Sequence, residues 1–315
     1  MSKTSQDVVI TCATRTGIGK YNGMWNKVQA HDLGKLVIKD LLKQTAIDHN
    51  QIDQVILGQV LTSDVGQNPA RQAAIGASIP NEKVSYIVNQ VCGSGLRAIV
   101  SAYQSILLEE SKIIIAGGQE SMSCSNKDLM IKDGLIDAYN NYHMGITAEN
   151  VAEKWQISRE MQDEFAVASQ NKAENAQKLN KFEDEIVPFI VKHRKGDIIV
   201  DKDEYIRHGV TIEGMQKLRP AFTKNGTVTA ANASGINDGS AAVCLMSEEK
   251  INKGRKYQQV ISGARSIFLS EGFEAANMDV IAQTAKVSKA TLYSCLLYTS
   301  PSPRDVEESR MPSSA

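Results

Sequence analysis

Three aliphatic runs, Val8-Val9-Ile10, Val55-Ile56-Leu57 and Ile113-Ile114-Ile115, recur within the first 118 residues, separated by stretches of helical period such as Leu33, Leu36, Val37, Leu41 and Leu42. Each run is short, β-rich and apolar at consecutive positions, as a strand covered on both faces must be. Strands in this order with helix-length connections can pair in parallel only through crossovers, so the pattern predicts an α/β fold with a mostly parallel sheet under helices. The 315 residues are 42% hydrophobic, ample for a buried core.

From Gln119 the texture turns polar and loop-rich, then gives a long helix from Arg159 to about Leu179 with Ser158 as its N-cap. This stretch reads as an insertion. Ile186-Val187-Pro188-Phe189 and Asp197-Ile198-Ile199-Val200 are expected as short strands, the first confined to an edge by its proline. The buried-strand pattern returns at Ala241 to Met246. Beyond a basic patch, Lys253-Gly254-Arg255-Lys256, come three short helical patterns. Val260, Ile261, Ala264, Ile267 and Phe268 share one face, Gly272 supplies a stop, and Met278–Ala285 and Ser288–Ser294 follow. From Cys295 onward, Pro301, Pro303 and Pro312 among serines predict disorder.

Charge and cysteine usage narrow the function classes. With 35 basic and 36 acidic residues the net charge is -1, so no polyanion-binding surface is implied overall. Five cysteines (Cys12, Cys92, Cys124, Cys244, Cys295), widely spaced and never in a C-x-x-C pair, point away from a disulfide framework and from any metal site. No apolar leader follows Met1 and no run of about 18 apolar residues occurs, so a cytoplasmic protein without a membrane partner is expected.

The segment richest in chemistry is Asn89-Gln90-Val91-Cys92-Gly93-Ser94-Gly95-Leu96, between the strand pattern Tyr86-Ile87-Val88 and the helix pattern Leu96 to Leu108. A cysteine there faces unpaired N–H groups and the positive end of a helix dipole, a setting that favours thiolate over thiol. Gly93 and Gly95 would let the backbone approach a thioester, and the Cys92 N–H could donate to an oxyanion. The alternative is a small hydrophobe in a buried turn. Thr16-Gly17-Ile18-Gly19-Lys20 is not a phosphate loop, since Thr14 and Tyr21 stand where glycine and Ser or Thr are needed. His143 and Arg207 are unremarkable in isolation.

Together with Gly117-Gly118-Gln119-Glu120-Ser121-Met122-Ser123, His143-Met144-Gly145, Thr147-Ala148-Glu149-Asn150, Lys217-Leu218-Arg219-Pro220-Ala221-Phe222 and Asn232-Ala233-Ser234-Gly235-Ile236-Asn237-Asp238-Gly239, the Cys92 segment resembles the thiolases, in the family's order, over residues 1 to about 247. Within the family the resemblance is to bacterial acetyl-CoA C-acetyltransferases. It implies a βαβαβαββ sheet-and-helix half with a CoA-binding loop domain inserted at about 119–229. It further implies reversible Claisen condensation of two acetyl-CoA to acetoacetyl-CoA through an acyl-enzyme on Cys92. Coenzyme A and acyl-CoA are then substrates, with no permanently bound cofactor. Arg207 and Ser234 would contact CoA, and Leu135, His143, Met144, Ala221 and Phe222 would line the pantetheine and adenine path. A guanidinium suits phosphate or adenine, and a hydroxyl can donate or accept. A decarboxylating ketoacyl synthase is the nearest enzyme alternative.

Three departures stand out. The chain between Ser123 and Met130 is shorter than in the family, where that stretch projects toward the partner in a homotetramer, so altered assembly is expected. Ala231 replaces a usual glycine. The family's Asn-Glu-Ala-Phe, Gly-His-Pro and Cys-x-Gly segments do not occur in these 315 residues, which predicts an inactive chain. Residues 256–294 instead resemble the helix-turn-helix head of tetracycline-repressor-type regulators. Ala264 to Phe268, Met278 to Ala282 and Val287-Ser288-Lys289-Ala290-Thr291-Leu292-Tyr293 carry that likeness, with Lys286 at a turn position where glycine is usual. This implies a short all-α fragment through which alone the chain could bind DNA, lacking a core partner of its own. Residues 295–315 form the tail, in which Cys295 to Asp305 resembles a translated sequencing adaptor. A chimeric open reading frame is therefore expected, with a regulator fragment as the alternative function.

Overall fold

Period-two alternation within the strands builds this molecule in layers. The computed structural model describes residues 7–191, 196–251, 260, 263, 264, 266, 267 and 278–287. In chain order these residues form β1 (Val8–Arg15), β2 (Gly19–Lys20), α1 (Ala30–Thr45), β3 (Gln54–Gly58), α2 (Pro69–Gly76), β4 (Val84–Val88), α3 (Ser94–Leu107) and β5 (Ile113–Ser121). Then come α4 (Lys127–Leu135), α5 (Met144–Lys154), α6 (Arg159–Lys178), β6 (Phe189–Val191), β7 (Ile198–Val200), α7 (Ile212–Gln216), β8 (Asn237–Ser247) and α8 (Glu248–Ile251). A further short helix spans Met278–Thr284.

The sheet order is β1-β8-β5-β3-β4, with β2 paired to the start of β8. β5, β3 and β4 pair in parallel, whereas β8 runs antiparallel to both β1 and β5. The sheet is thus mixed where a mostly parallel one was expected. β8 returns after the long insertion and enters between β1 and β5, so its direction is not set by a helical crossover.

On one face, Val55, Leu57, Ile113, Ile115, Ala242 and Cys244 pack against Val37, Ile38 and Leu41 of α1 and Ala70, Ala73 and Ala74 of α2. On the other, Ile56, Ile114, Ala116 and Leu245 pack against Ala98, Ala102 and Ile106 of α3. The odd–even split is the pleat itself. The α1 stripe is wider than the sequence pattern, because Ile38 is fully buried while Leu36 is only half-buried. Asp32 in its first turn and Lys43 in its last complement the helix dipole. α2 starts with Pro69 at its first turn and the Asn68 side chain accepting from Arg71 N.

The polar stretch after Gln119 is less loop-like than its composition predicts. Gln119 to Ser121 finish β5, and α4 and α5 occupy most of 127–154. α6 forms as expected, with Ser158 Oγ accepting from Met161 N at 3.2 Å. The first predicted edge strand starts late, at Phe189. Ile186 instead makes an isolated parallel bridge to Arg15. The β6–β7 pair covers Trp25, which is fully buried and donates Nε1 to Gly17 O at 2.7 Å. A Cβ on Gly19 would lie 2.5 Å from Trp25 Cδ1, so that glycine accommodates the indole.

Among the residues described near the end, Val260, Ala264, Ile267, Ile281, Ala282 and Ala285 form a small buried cluster. Lys286 has φ +53°, the left-handed turn expected at the position where glycine is usual. Gly272, the expected recognition helix at 288–294 and the tail at 295–315 lie outside the described residues. No described helix is long and apolar enough to cross a membrane.

Candidate active site

The parallel strands β3, β4 and β5 end on the edge where α3 begins, which is where open α/β sheets form crevices. α3 starts very close to that edge. A Cβ on Gly58, the last residue of β3, would lie 2.4 Å from the Ser94 carbonyl carbon and 2.5 Å from Gly95 N. Gly95 does not carry this constraint, as its own Cβ would meet the nearest atoms, on Gly117 and Gly118, at an ordinary 3.9 Å.

Between β4 and α3 the Asn89–Ser94 turn is held from within. Gly93 N donates to Gln90 O at 3.0 Å, and Ser94 N donates to Val91 O at 3.1 Å. The buried Ser94 hydroxyl accepts from Gln90 N at 2.9 Å and donates to Val91 O at 2.6 Å. Asn89 Oδ1 accepts from Val91 N at 3.0 Å, and Arg97 Nε donates to Gln90 Oε1 at 2.7 Å. These bonds hold Val91 at φ +50°, a conformation unfavourable for a β-branched residue. The next residue, Cys92, is exposed, directly before the α3 N-cap Gly93. The alternative of a buried hydrophobic cysteine therefore fails at Cys92. It describes Cys244 instead, whose thiol burial pushes up to about 12.

Behind the turn lies a polar group that sequence reasoning did not single out. Glu120 accepts from Val60 N at 2.8 Å and Leu61 N at 3.4 Å, and burial raises its pKa to about 7. Val60 O in turn faces Asn89 Nδ2 at 3.5 Å. Asp238 is buried, accepts from Ser123 N and Oγ, and is also raised by burial. No strand pattern signalled it, because the sequence turns polar at Gln119 and only the structure carries β5 on to Ser121.

The other expected site residues fall into two groups. His143 stacks on Phe222 with centroids 4.9 Å apart and caps α5 by accepting Gly145 N at 2.9 Å. Leu135 ends α4 beside Ile136, which bridges to His143; Met144 opens α5, and Ala221 adjoins Phe222. In the second group, Arg207 lines a cleft of about 260 Å³ with Gln170, His208, Met215, Leu218 and Ala231. Arg207 also donates to Ala230 O at 3.3 Å and lies over the Tyr205 ring at 5.7 Å. Ser234 is exposed three residues beyond Ala231. The segment from Pro220 to Thr229 joins the two groups, with Pro220 bridged to Thr229 and Glu149 accepting from Thr227 N and Val228 N.

An exposed thiol at a helix start can act as a nucleophile, and a cleft edged by a guanidinium can hold a phosphate-bearing ligand. Residues 8–127 and 124–249 match the family model "Thiolase, N-terminal domain", and residues 260–294 match "Bacterial regulatory proteins, tetR family". The chain is 56% identical over 257 residues to an acetyl-CoA acetyltransferase of Rhizobium meliloti (strain 1021), covering 76% of this chain and 65% of the relative. It is 54% identical over 258 residues to the acetyl-CoA acetyltransferase of Paracoccus denitrificans, covering 77% and 66%. The crystal structure of the Bacillus anthracis acetyl-CoA acetyltransferase superposes with a TM-score of 0.77 at 38% identity, covering 80% of this chain and 68% of that one. The chain thus spans just under two thirds of the length of these curated relatives. The thiolase model matches most of the described sheet, its turn and its insertion, and by that match this chain belongs to the thiolase family.

Proposed function

We propose that residues 1–247 are the nucleophile-bearing half of an acetyl-CoA C-acetyltransferase, with a loop domain at about 119–229 that binds CoA. The observation that carries this reading is Cys92, exposed at the start of α3 on a turn whose strained Val91 is held by Asn89 and Ser94. The Cys92 thiolate attacks the acetyl-CoA carbonyl, the CoA thiolate leaves, and an acyl-enzyme remains. The enolate of a second acetyl-CoA then attacks that acyl group. The new carbon–carbon bond gives acetoacetyl-CoA, and the Cys92 thiolate departs. Arg207 and Ser234 would hold the nucleotide end of CoA. Leu135, His143, Met144, Ala221 and Phe222 would line the path of the pantetheine. Residues 1–247 fused to the carboxy-terminal domain of an acetyl-CoA acetyltransferase are expected to cleave acetoacetyl-CoA. A soluble, folded fusion no more active than its Cys92→Ala variant would defeat the assignment.

For the 315 residues acting alone we propose no turnover. His31, His49, His143 and His208 make their contacts to Asp32, Ser78, Gly145 and Glu174, none of them in the Asn89–Ser94 turn. None precedes a proline, so the Gly-His-Pro segment that the family resemblance assigns to activating the nucleophile does not occur in these residues.

A second reading, that residues 256–294 bind duplex DNA, is favoured by the buried cluster from Val260 to Ala285 and the left-handed turn at Lys286. It predicts a complex that weakens steeply with salt, through counterion release. Absence of any gel shift at low salt would remove it.

A further inference from the structure

The cleft edged by Arg207 is built from loops, the five-residue α7 and Gln170 of α6, so no sheet register fixes its walls. One buried carboxylate connects them. Asp163 on α6 is 1% exposed; its Oδ2 accepts from Arg159 Nε at 2.7 Å and its Oδ1 from Asn232 Nδ2 at 2.9 Å. The Arg159 guanidinium continues to Met215 O at 2.7 Å and Leu218 O at 3.2 Å, two residues of the cleft wall. On the other side, Asn232 Oδ1 accepts from Thr229 N at 2.7 Å while Nδ2 also reaches Thr227 O at 3.1 Å. Thr229 Oγ then accepts from Ala231 N and Asn232 N, placing Ala231 in the opposite wall. The third wall hangs from the same helix face, with Gln170 accepting from Arg207 N at 2.9 Å and Glu174 accepting from Gly209 N at 3.0 Å.

We infer that the Asp163–Asn232 pair, with Arg159, is the positioning element for the nucleotide end of the CoA-binding site, setting the spacing between the Met215–Leu218 wall and the Ala231 wall. The inference rests on the CoA reading given above. Asp163 touches no ligand; it acts through Arg159 and Asn232. A carboxylate is required because both of its oxygens accept, one of them from a charged donor, whereas an amide would set an NH2 donor against Arg159 or Asn232. The sequence disguises this role, since Arg159 and Asp163 at i, i+4 look like an ordinary exposed helix pair.

The test is calorimetric titration of the full chain and its Asp163→Asn and Asn232→Ser variants with CoA, adenosine 3′,5′-bisphosphate and S-acetylpantetheine. Affinity for CoA and the bisphosphate is expected to fall about tenfold in Asp163→Asn, the scale of one charge-assisted hydrogen bond, with S-acetylpantetheine unchanged. Asn232→Ser leaves the Arg159–Asp163 pair intact and should show the same selectivity with a smaller loss. Equal weakening toward all three ligands, or unchanged nucleotide affinity in a folded variant, overturns the inference. If both variants unfold, the pair is a folding requirement and the inference falls. A wild-type chain that binds none of the three ligands overturns the CoA reading, and this inference with it.

Discussion

Glu120 lies on β5 one residue before the strand end, and its environment makes a pH-dependent signature. Burial raises its pKa from 4.5 to about 7, against the lowering effect of N–H groups from Val60, Leu61 and Ser121, with Asp238 adding repulsion. The folded chain therefore holds the proton more tightly than the unfolded chain. Stability from this group is full below about pH 4.5 and is lost as pH rises through about 7. Its size is at most on the order of 3 kcal/mol. Glu120→Gln is expected to flatten the fall in urea midpoint between about pH 5 and about pH 8. An unchanged slope would show that Glu120 is ionised throughout. Val91 poses the complementary case, since glycine adopts φ +50° without a Cβ conflict. Val91→Gly should hold or raise the melting temperature, by up to about 1 kcal/mol of relieved strain, while loosening the Cys92 turn and slowing acylation in the fused enzyme. Both effects are read from one thermal melt and one acyl-transfer time course.

At the scale of elements, the fit between α3 and the sheet edge decides where the nucleophile stands. Gly58→Ala drives a Cβ into backbone of Ser94 and Gly95 and is expected to cost at least about 3 kcal/mol, seen as loss of soluble protein or a collapsed urea midpoint. Gly95→Ala meets only ordinary contacts and should stay within about 1 kcal/mol of wild type, helped by helix propensity. The contrast is informative because the helix–sheet packing requires glycine at position 58, a constraint separate from the approach to a thioester that sequence reasoning gave to Gly93 and Gly95. Strand and helix identities were legible, because apolar runs near Ile56 and Ile114 and the stripe along α1 carry their own period. Placement of β8 was not legible. Its partners β1 and β5 are both separated from it by the long insertion after Gln119, and nothing local encodes an antiparallel entry between them. Cys92 was legible because the strand–cysteine–helix order is itself local. The Asp163–Asn232 contact was not, since burial of a charged helix residue depends on a loop about seventy positions away.

Across the whole molecule the two faces of the sheet are unequal. α1 and α2 close one side, whereas α3 covers the other with Ala98, Ala102 and Ile106 inward and leaves several large apolar residues outward. Leu96 is 69% exposed, Leu108 71% and Tyr103 45%, a run of apolar surface along one helix. A second thiolase half packed against α3 would cover such a surface, which supports the proposal that residues 1–247 work as part of a larger catalytic unit. Two consequences follow for the 315 residues expressed alone. They should bind a hydrophobic dye and self-associate, and Leu108→Lys should reduce both with little change in stability, because the site is exposed and a cation at a helix C-terminus is favourable. They should also fail to cleave acetoacetyl-CoA, since the Gly-His-Pro and Cys-x-Gly segments expected to move the protons do not occur in them, a role worth about 10²–10⁴ in rate. Adding a separately expressed carboxy-terminal domain of an acetyl-CoA acetyltransferase tests both at once. Dye binding should fall as the face is covered, and thiolysis that depends on Cys92 should appear. Turnover by the 315 residues alone, abolished by Cys92→Ala, would instead mean that these residues already supply the proton transfers themselves.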